Sequence, residues 1–393
     1  MPRKRIAVVT NRFYPQFGGA EHTILYTLEE LSKHCEIDVL TPLRDRDPKR
    51  ETLDGMRIFR YWDAHNPWNR LPNLQASLTM CPSIFQRVLM GGYDLVHCFP
   101  AVNRNNILAL AAARLRGIPA FLTNYDLFDY SQLLSGGDFD AAAYERLEIG
   151  ARQKDHLKKF NGIFTIAERE TRLLESVNPN TFLSTVPIKL DEWDEEHDTA
   201  AFRKKYDIAP DVDIVLCLSR VAQVKGQDML LKAVPSLRRR AKNFVVLIVG
   251  KTDFEPEFVE GMRAFIAEND LGGIVKLTGG LPREDVLAAV KACAVHVLPM
   301  RFMNSGAVVV ETWAARRPVI QSTGIDPVYV EEGVNGHVFD KDDPEELAVK
   351  IERVLQDPAA QDEMGRAGRH LVETKFLYSH LVDQYLAAYG ELG

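Results

Sequence analysis

The chain of 393 residues has no CxxC pair, no GxGxxG turn, no Walker loop and no low-complexity tract. Its five cysteines, Cys35, Cys81, Cys98, Cys217 and Cys293, are odd in number and scattered. They form neither a disulfide framework nor a zinc site, and they fit a reducing cytoplasm. Apolar runs are short. Phe244-Val245-Val246-Leu247-Ile248-Val249 is among the longest, far below the roughly 18 residues that span a bilayer. The basic start Met1-Pro2-Arg3-Lys4-Arg5 is followed by Ile6-Ala7-Val8-Val9, too brief for a signal-peptide core. The expectation is a cytoplasmic protein that does not cross a membrane. Missing dinucleotide glycines after either first strand disfavour an NAD-dependent oxidoreductase. Net charge is −7, with 24 basic against 21 acidic side chains in residues 1–190 and 24 against 34 in 191–393. That balance speaks against nucleic acid as a partner and leaves only the N-terminal half suited to peripheral contact with an anionic membrane.

Length argues for two domains at roughly 100–200 residues each. Hydrophobic residues at 46% and charged residues at 26% are ordinary for a globular chain. Short apolar runs alternate with amphipathic stretches, the pattern of βα units and a parallel sheet. One series of strands reads Arg5–Thr10, Ile37–Thr41, Met56–Tyr61, Asp94–Phe99, Ala120–Thr123 and Gly162–Ile166, with helices such as Glu21–His34 and Asn106–Arg116. A second reads Asp213–Leu218, Phe244–Gly250, Ile274–Thr278, Ala294–Leu298, Pro318–Gln321 and Gly336–Phe339. The polar stretch Lys189–Arg203 reads as the linker between them. Asp343-Pro344-Glu345-Glu346 supplies an N-cap, a proline at the first helical position and an acidic first turn, so a helix should run from Pro344 to about Leu355. Ligands of open α/β sheets sit at the strand carboxyl ends, so two facing domains would define a cleft.

Three segments could carry chemistry. Gly18-Gly19, following Tyr14-Pro15-Gln16-Phe17 and leading into Ala20-Glu21, is a glycine turn entering a helix, where free N–H groups could meet an anion; alone it is equally an ordinary strand–helix turn. Arg220 and Lys225, in Ser219-Arg220-Val221-Ala222-Gln223-Val224-Lys225-Gly226, follow the first strand of the second series. Two cations there can grip a diphosphate, although two basic loop residues are often just a solvated edge. In the third segment Ser305 reads as an N-cap, Gly306 admits a ligand close to the backbone, and the helix that follows is apolar except for Glu311. A carboxylate on a buried helix is costly unless paired or bonded to hydroxyls. His97, His296 and His337 fall on strands and read as packed or hydrogen-bonded.

Taken in order, Tyr14-Pro15…Gly18-Gly19-Ala20-Glu21, Ser219-Arg220…Lys225-Gly226, Val297-Leu298-Pro299, Gly306…Glu311-Thr312-Trp313-Ala314, Pro318-Val319-Ile320 and Glu332-Gly333-Val334-Asn335-Gly336 resemble the retaining family-4 glycosyltransferases of the GT-B fold. The resemblance covers nearly the whole chain. It implies two Rossmann-like parallel-sheet domains facing across a cleft: an acceptor domain over 1–190, a nucleotide-sugar domain over 191–375, and a last segment, 376–393, whose helix Tyr378–Leu392 returns to the first domain. It also implies that Arg220 and Lys225 hold the donor diphosphate, that Glu311, the second Glu of an E-x7-E motif, holds the ribose, and that Gly18-Gly19 lies against phosphate and acceptor. The first Glu of that motif falls on Met303, and an active-site His falls on Tyr125, beside Asp126. Diphosphate and ribose recognition thus looks retained while sugar recognition differs, because Met303 cannot accept a hydroxyl proton. The donor-site set is Gly18, Gly19, Arg220, Lys225, Met303, Ser305, Gly306, Ala307 and Glu311; Tyr125 and Asp126 are candidates for orienting the acceptor.

The implied reaction is transfer of a hexose from a UDP- or GDP-linked sugar to an acceptor hydroxyl with retention, without metal or further cofactor. The partners are then the nucleotide sugar and an acceptor that the sequence does not identify. The losses at Met303 and Tyr125 keep two alternatives open: a non-catalytic sugar-nucleotide-binding subunit and a GT-B sugar-nucleotide epimerase.

Overall fold

The computed structural model describes residues 3–15, 19–44, 47–64, 79–125, 127–128, 143–144, 146–302, 306–325 and 329–393. They fall into two compact units, one drawn from Met1–Asp129, Leu147–Pro187 and Tyr378–Gly393, the other from Tyr130–Arg146 and Ile188–Leu377. Each is an α/β layer structure built on a parallel sheet.

The first unit contains β1 (Arg5–Val9), β2 (Glu36–Pro42), β3 (Arg50–Leu53), β4 (Met56–Tyr61), β5 (Leu95–Cys98), β6 (Ala120–Asn124), β7 (Gly162–Thr165) and β8 (Thr181–Leu183). They lie in the order β3-β4-β2-β1-β5-β6-β7-β8. Every pair is parallel except the β3–β4 hairpin. Its turn is Asp54-Gly55, both at positive φ (47° and 79°), the backbone that a tight hairpin demands. The sequence reading missed β3 and β8. Central strands are apolar on both faces, Ile6 to Val9 being wholly buried, as helices on both sides of a parallel sheet require. Asp38 on β2 is also wholly buried and binds Arg5, Arg57, Arg87 and the Tyr93 hydroxyl. Burial opposes its ionisation, but bonds from Tyr93, Arg57 and Arg5 outweigh this and hold its carboxyl below the usual range.

The chain's last helix, Tyr378–Glu391, packs in this unit, as the resemblance implies. It lies against the helix Gly19–Ser32 and sends Leu381, Val382, Tyr385 and Tyr389 into the cluster of Ile6, Val8, Phe99 and Phe121. Tyr389 bonds His97 Nδ1, and His97 Nε2 lies 2.8 Å from Thr123 Oγ1, which meets the Tyr385 hydroxyl at 2.7 Å. Burial lowers the His97 pKa to about 3, so the ring is a neutral core group.

The second unit contains β9 (Asp213–Leu218), β10 (Phe244–Val249), β11 (Val275–Gly279), β12 (Val295–Leu298), β13 (Val319–Ser322) and β14 (Gly336–Phe339), in the all-parallel order β11-β10-β9-β12-β13-β14. The order reverses between β9 and β12, and ligands of such sheets bind where it does. The expected helix after Asp343 runs Pro344–Gln356, its cap accepting from the amides of Glu345 and Glu346. Lys189–Arg203 is not a bare linker. It carries the helices Asp191–Asp194 and Thr199–Lys205, and buries Trp193 and Phe202 against Val245, Leu247 and Leu287. Ion pairs of Glu192 with Arg283 and of Asp194 with Arg369 add to this anchoring.

Candidate active site

The loop leaving β9 is held by its backbone and by one buried amide. Gln227 donates through Nε2 to Ser219 Oγ (2.8 Å) and to the Arg220 carbonyl (3.0 Å). Val221 N–H donates to the Lys251 carbonyl at 2.9 Å, and Gln223 N–H to Glu255 Oε2 at 2.8 Å. Gly226, at φ +68°, sits so close to the end of β12 that a Cβ there would lie 1.8 Å from the Pro299 carbonyl oxygen. Arg301 completes the junction, forking onto Asp228 at 2.8 and 2.7 Å and donating to the Gln223 carbonyl. The β9 and β12 loops therefore form one rigid platform at the switch point.

On it lie two cations without a carboxylate partner among the described residues. Arg220 is exposed, its guanidinium carbon 3.9 Å from the centre of the Phe254 ring. Lys225 is half-buried, and the polar contact of its ammonium is Met300 Sδ at 3.9 Å. Burial, reinforced by the positive charge of Arg220, lowers the Lys225 pKa to about 8. A buried ammonium facing a second cation is costly in isolation and is relieved by an incoming anion.

The helix Ala307–Ala314 begins with Gly306 as its cap, a residue without a side chain to close the first turn. Ser305, expected as the cap, lies outside the described residues. Glycine is required at 306 because a Cβ would fall 2.2 Å from the Tyr329 ring. The N–H groups from Ala307 onward give this helix a positive end of the kind that suits an anion. Glu311, half-buried on this helix, makes no hydrogen bond among the described residues, and burial raises its carboxyl pKa. An unsatisfied carboxylate of this kind is suited to accept from hydroxyls.

His296 is packed and hydrogen-bonded, as the sequence reading expects, and its two bonds join parts of the site. Wholly buried on β12, its Nε2 accepts from Leu218 N–H (3.1 Å) and its Nδ1 donates to Thr312 Oγ1 (2.6 Å), which donates to the Val308 carbonyl (2.8 Å). It thereby ties the strand before Arg220 to the helix of Glu311. Burial lowers its pKa to about 3, so the ring stays neutral.

In the first unit, Gly19 is the first residue of the helix Gly19–Ser32, two positions ahead of the start expected at Glu21. Tyr125 follows β6 and is 8% exposed within the Phe99–Phe121–Tyr385 cluster, where burial drives its phenol pKa well up. Gly18, Asp126 and Met303 lie outside the described residues. A cavity of about 690 Å³ lies at the amino ends of β9 and β12, with Arg203, Lys291, Arg316 and Arg317 in its lining; Arg203 donates to the carbonyls of Ala209, Val212 and Ala292 and Lys291 to that of Glu195, while the buried Arg317 Nε has no hydrogen-bond partner among the described residues.

Two family descriptions match the chain: a "Glycosyl transferase 4-like domain" over residues 18–181 and "Glycosyl transferases group 1" over 198–371. A GDP-mannose-dependent alpha-(1-6)-phosphatidylinositol monomannoside mannosyltransferase of Mycolicibacterium smegmatis is 30% identical over 381 residues, covering 92% of each chain. The chain belongs to the group 1 glycosyltransferases. A D-inositol 3-phosphate glycosyltransferase of Thermobifida fusca is 31% identical over 96% of this glycosyltransferase and 90% of its own length. Among solved structures, the glycosyltransferase resembles sucrose-phosphate synthase of Thermosynechococcus elongatus (TM-score 0.71, 20% identity, 99% of both chains). It also resembles Anabaena HepE in complex with UDP and glucose (TM-score 0.70, 16% identity, 99% and 100%). These similarities establish a GT-B fold.

Proposed function

We propose that this glycosyltransferase moves a hexose from a UDP- or GDP-linked sugar to an acceptor hydroxyl, with retention and without a metal at the diphosphate. The observation that carries the reading is Lys225, a half-buried ammonium with lowered pKa, no carboxylate partner among the described residues, and Arg220 as its electrostatic neighbour. As the sugar leaves, negative charge builds on the diphosphate. Arg220, Lys225 and the amides from Ala307 stabilise that charge, which lowers the barrier because they are already in place. Glu311 accepts from the ribose hydroxyls. The family resemblance assigns Gly18-Gly19 and Ser305 to the phosphates, Met303 to the donor sugar and Asp126 to the acceptor, which attacks from the face the diphosphate leaves while the departing phosphate takes the proton. The packing of Tyr125 suits it to shape the acceptor wall. The name of the Mycolicibacterium smegmatis relative favours GDP-mannose as donor, and the names of both relatives favour an inositol-bearing acceptor.

The test is a panel of UDP-, GDP- and ADP-sugars scored by thermal stabilisation and then by nucleotide release with candidate acceptors. One nucleotide should stabilise the protein, and Arg220→Ala with Lys225→Ala should abolish that gain. Unchanged nucleotide affinity in the double variant would remove the donor-site assignment. Binding without turnover across all acceptors would instead identify a non-catalytic subunit. Met303→Glu should alter donor-sugar preference if Met303 lines the sugar pocket.

A further inference from the structure

Phe254 has no evident structural reason to be where it is. It lies between β10 and the helix Pro256–Glu268, 55% exposed. Yet the segment carrying it is fixed. Its neighbour Glu255 accepts from Gln223 N–H at 2.8 Å, the Lys251 carbonyl accepts from Val221 N–H at 2.9 Å, and Gly250 packs so tightly that a Cβ would lie 1.8 Å from the Ser219 carbonyl oxygen. These contacts join the Phe254 segment to the loop that bears Arg220 and Lys225. The ring meets the Arg220 guanidinium at 3.9 Å from its centre, well inside cation–π range.

We infer that Phe254 is a positioning residue for Arg220: its ring holds the guanidinium flat against one face, directing the in-plane N–H donors toward the anion site. The inference rests on the donor-site reading above. An exposed arginine with no carboxylate partner among the described residues would otherwise sample many rotamers, each of which must be given up when a diphosphate binds. A stacking partner removes most of that freedom beforehand without neutralising the charge, as a carboxylate would. Stacking leaves the guanidinium edge, where every donor lies, available for bidentate contact with phosphate oxygens.

The experiment measures UDP and GDP affinity by calorimetry on the full chain, using whichever nucleotide binds. Phe254→Ala should weaken binding about two- to fivefold, the range of an exposed cation–π contact. Phe254→Tyr should restore it, and Phe254→Leu, which keeps apolar bulk without a π face, should not. In an Arg220→Ala background, Phe254→Ala should have no further effect. If Phe254→Ala weakens binding equally with and without Arg220, the ring contacts the nucleotide itself and the inference falls. Full rescue by leucine would reduce Phe254 to loop packing and also overturn it. If Arg220→Ala leaves affinity unchanged, the donor-site reading fails first, an outcome distinct from the loss of Phe254 coupling alone.

Discussion

Raising the pH from 7.5 to 9.0 should strip the charge from most Lys225 side chains and weaken nucleoside diphosphate binding. With its pKa lowered to about 8, roughly three-quarters of the unliganded molecules carry the ammonium at the lower pH and about one in ten at the higher. A bound diphosphate stabilises the charged form and returns the pKa toward its ordinary value. Binding therefore takes up a proton above pH 8, and affinity falls about eightfold over this interval, or about 1.2 kcal/mol. The interval lies above the titration of a terminal phosphate near 6, which leaves the diphosphate charge constant. Calorimetry at fixed ionic strength measures the slope, and Lys225→Arg should flatten it because a guanidinium does not titrate there. The stability of the unliganded protein moves the other way. The folded pKa lies below the unfolded value, so folding gains from Lys225 as pH rises between about 8 and 10.5. A pH-independent affinity in the unmodified chain, or an undiminished slope in Lys225→Arg, would refute the assignment.

Glu311→Ala should weaken nucleoside diphosphate binding by about 10- to 100-fold, the worth of hydrogen bonds to a charged group. A 2′,3′-dideoxynucleotide should bind both forms alike; an equal loss with both ligands would exclude the ribose contact. Gly226→Ala forces a side chain onto the Pro299 carbonyl at positive φ and should cost about 3 kcal/mol or more in urea unfolding. Gly261→Ala, on an open surface of the helix Pro256–Glu268, should raise stability by up to about 1 kcal/mol. Asp38→Ala leaves Arg5, Arg57 and Arg87 without their shared buried carboxylate and should cost about 3–5 kcal/mol near neutrality. Because the folded carboxyl titrates below the unfolded one, that gap should narrow as pH falls below about 4.

Burial on both faces made the sheets legible in the sequence. Runs such as Ile6–Val9 and Phe244–Val249 have no other fold-compatible reading, and their order fixes two βα series. The missed strands lacked this signal. Arg50–Leu53 is a charged edge strand, recognisable only through its Asp54-Gly55 turn, and Thr181–Leu183 is three residues long. At the site, residue types identified Arg220, Lys225 and Glu311 as candidates, but not their electrostatic state. That state depends on which acids are absent nearby, and no local spacing encodes it. The contact of Gly226 with Pro299 and the His296 bridge from Leu218 to Thr312 likewise join positions far apart in the chain.

The helix Tyr378–Glu391 has a consequence for biosynthesis. Because Leu381, Tyr385 and Tyr389 complete the core around Phe121, the part of this unit made before Ile188 cannot complete its core until Tyr378–Glu391 has also been made. Ile188–Leu377 holds its own sheet and cores and can fold while that earlier segment waits. Maturation then runs against the direction of translation, and a nascent chain stalled before Tyr378 would present an open aromatic seam to the cell's chaperones.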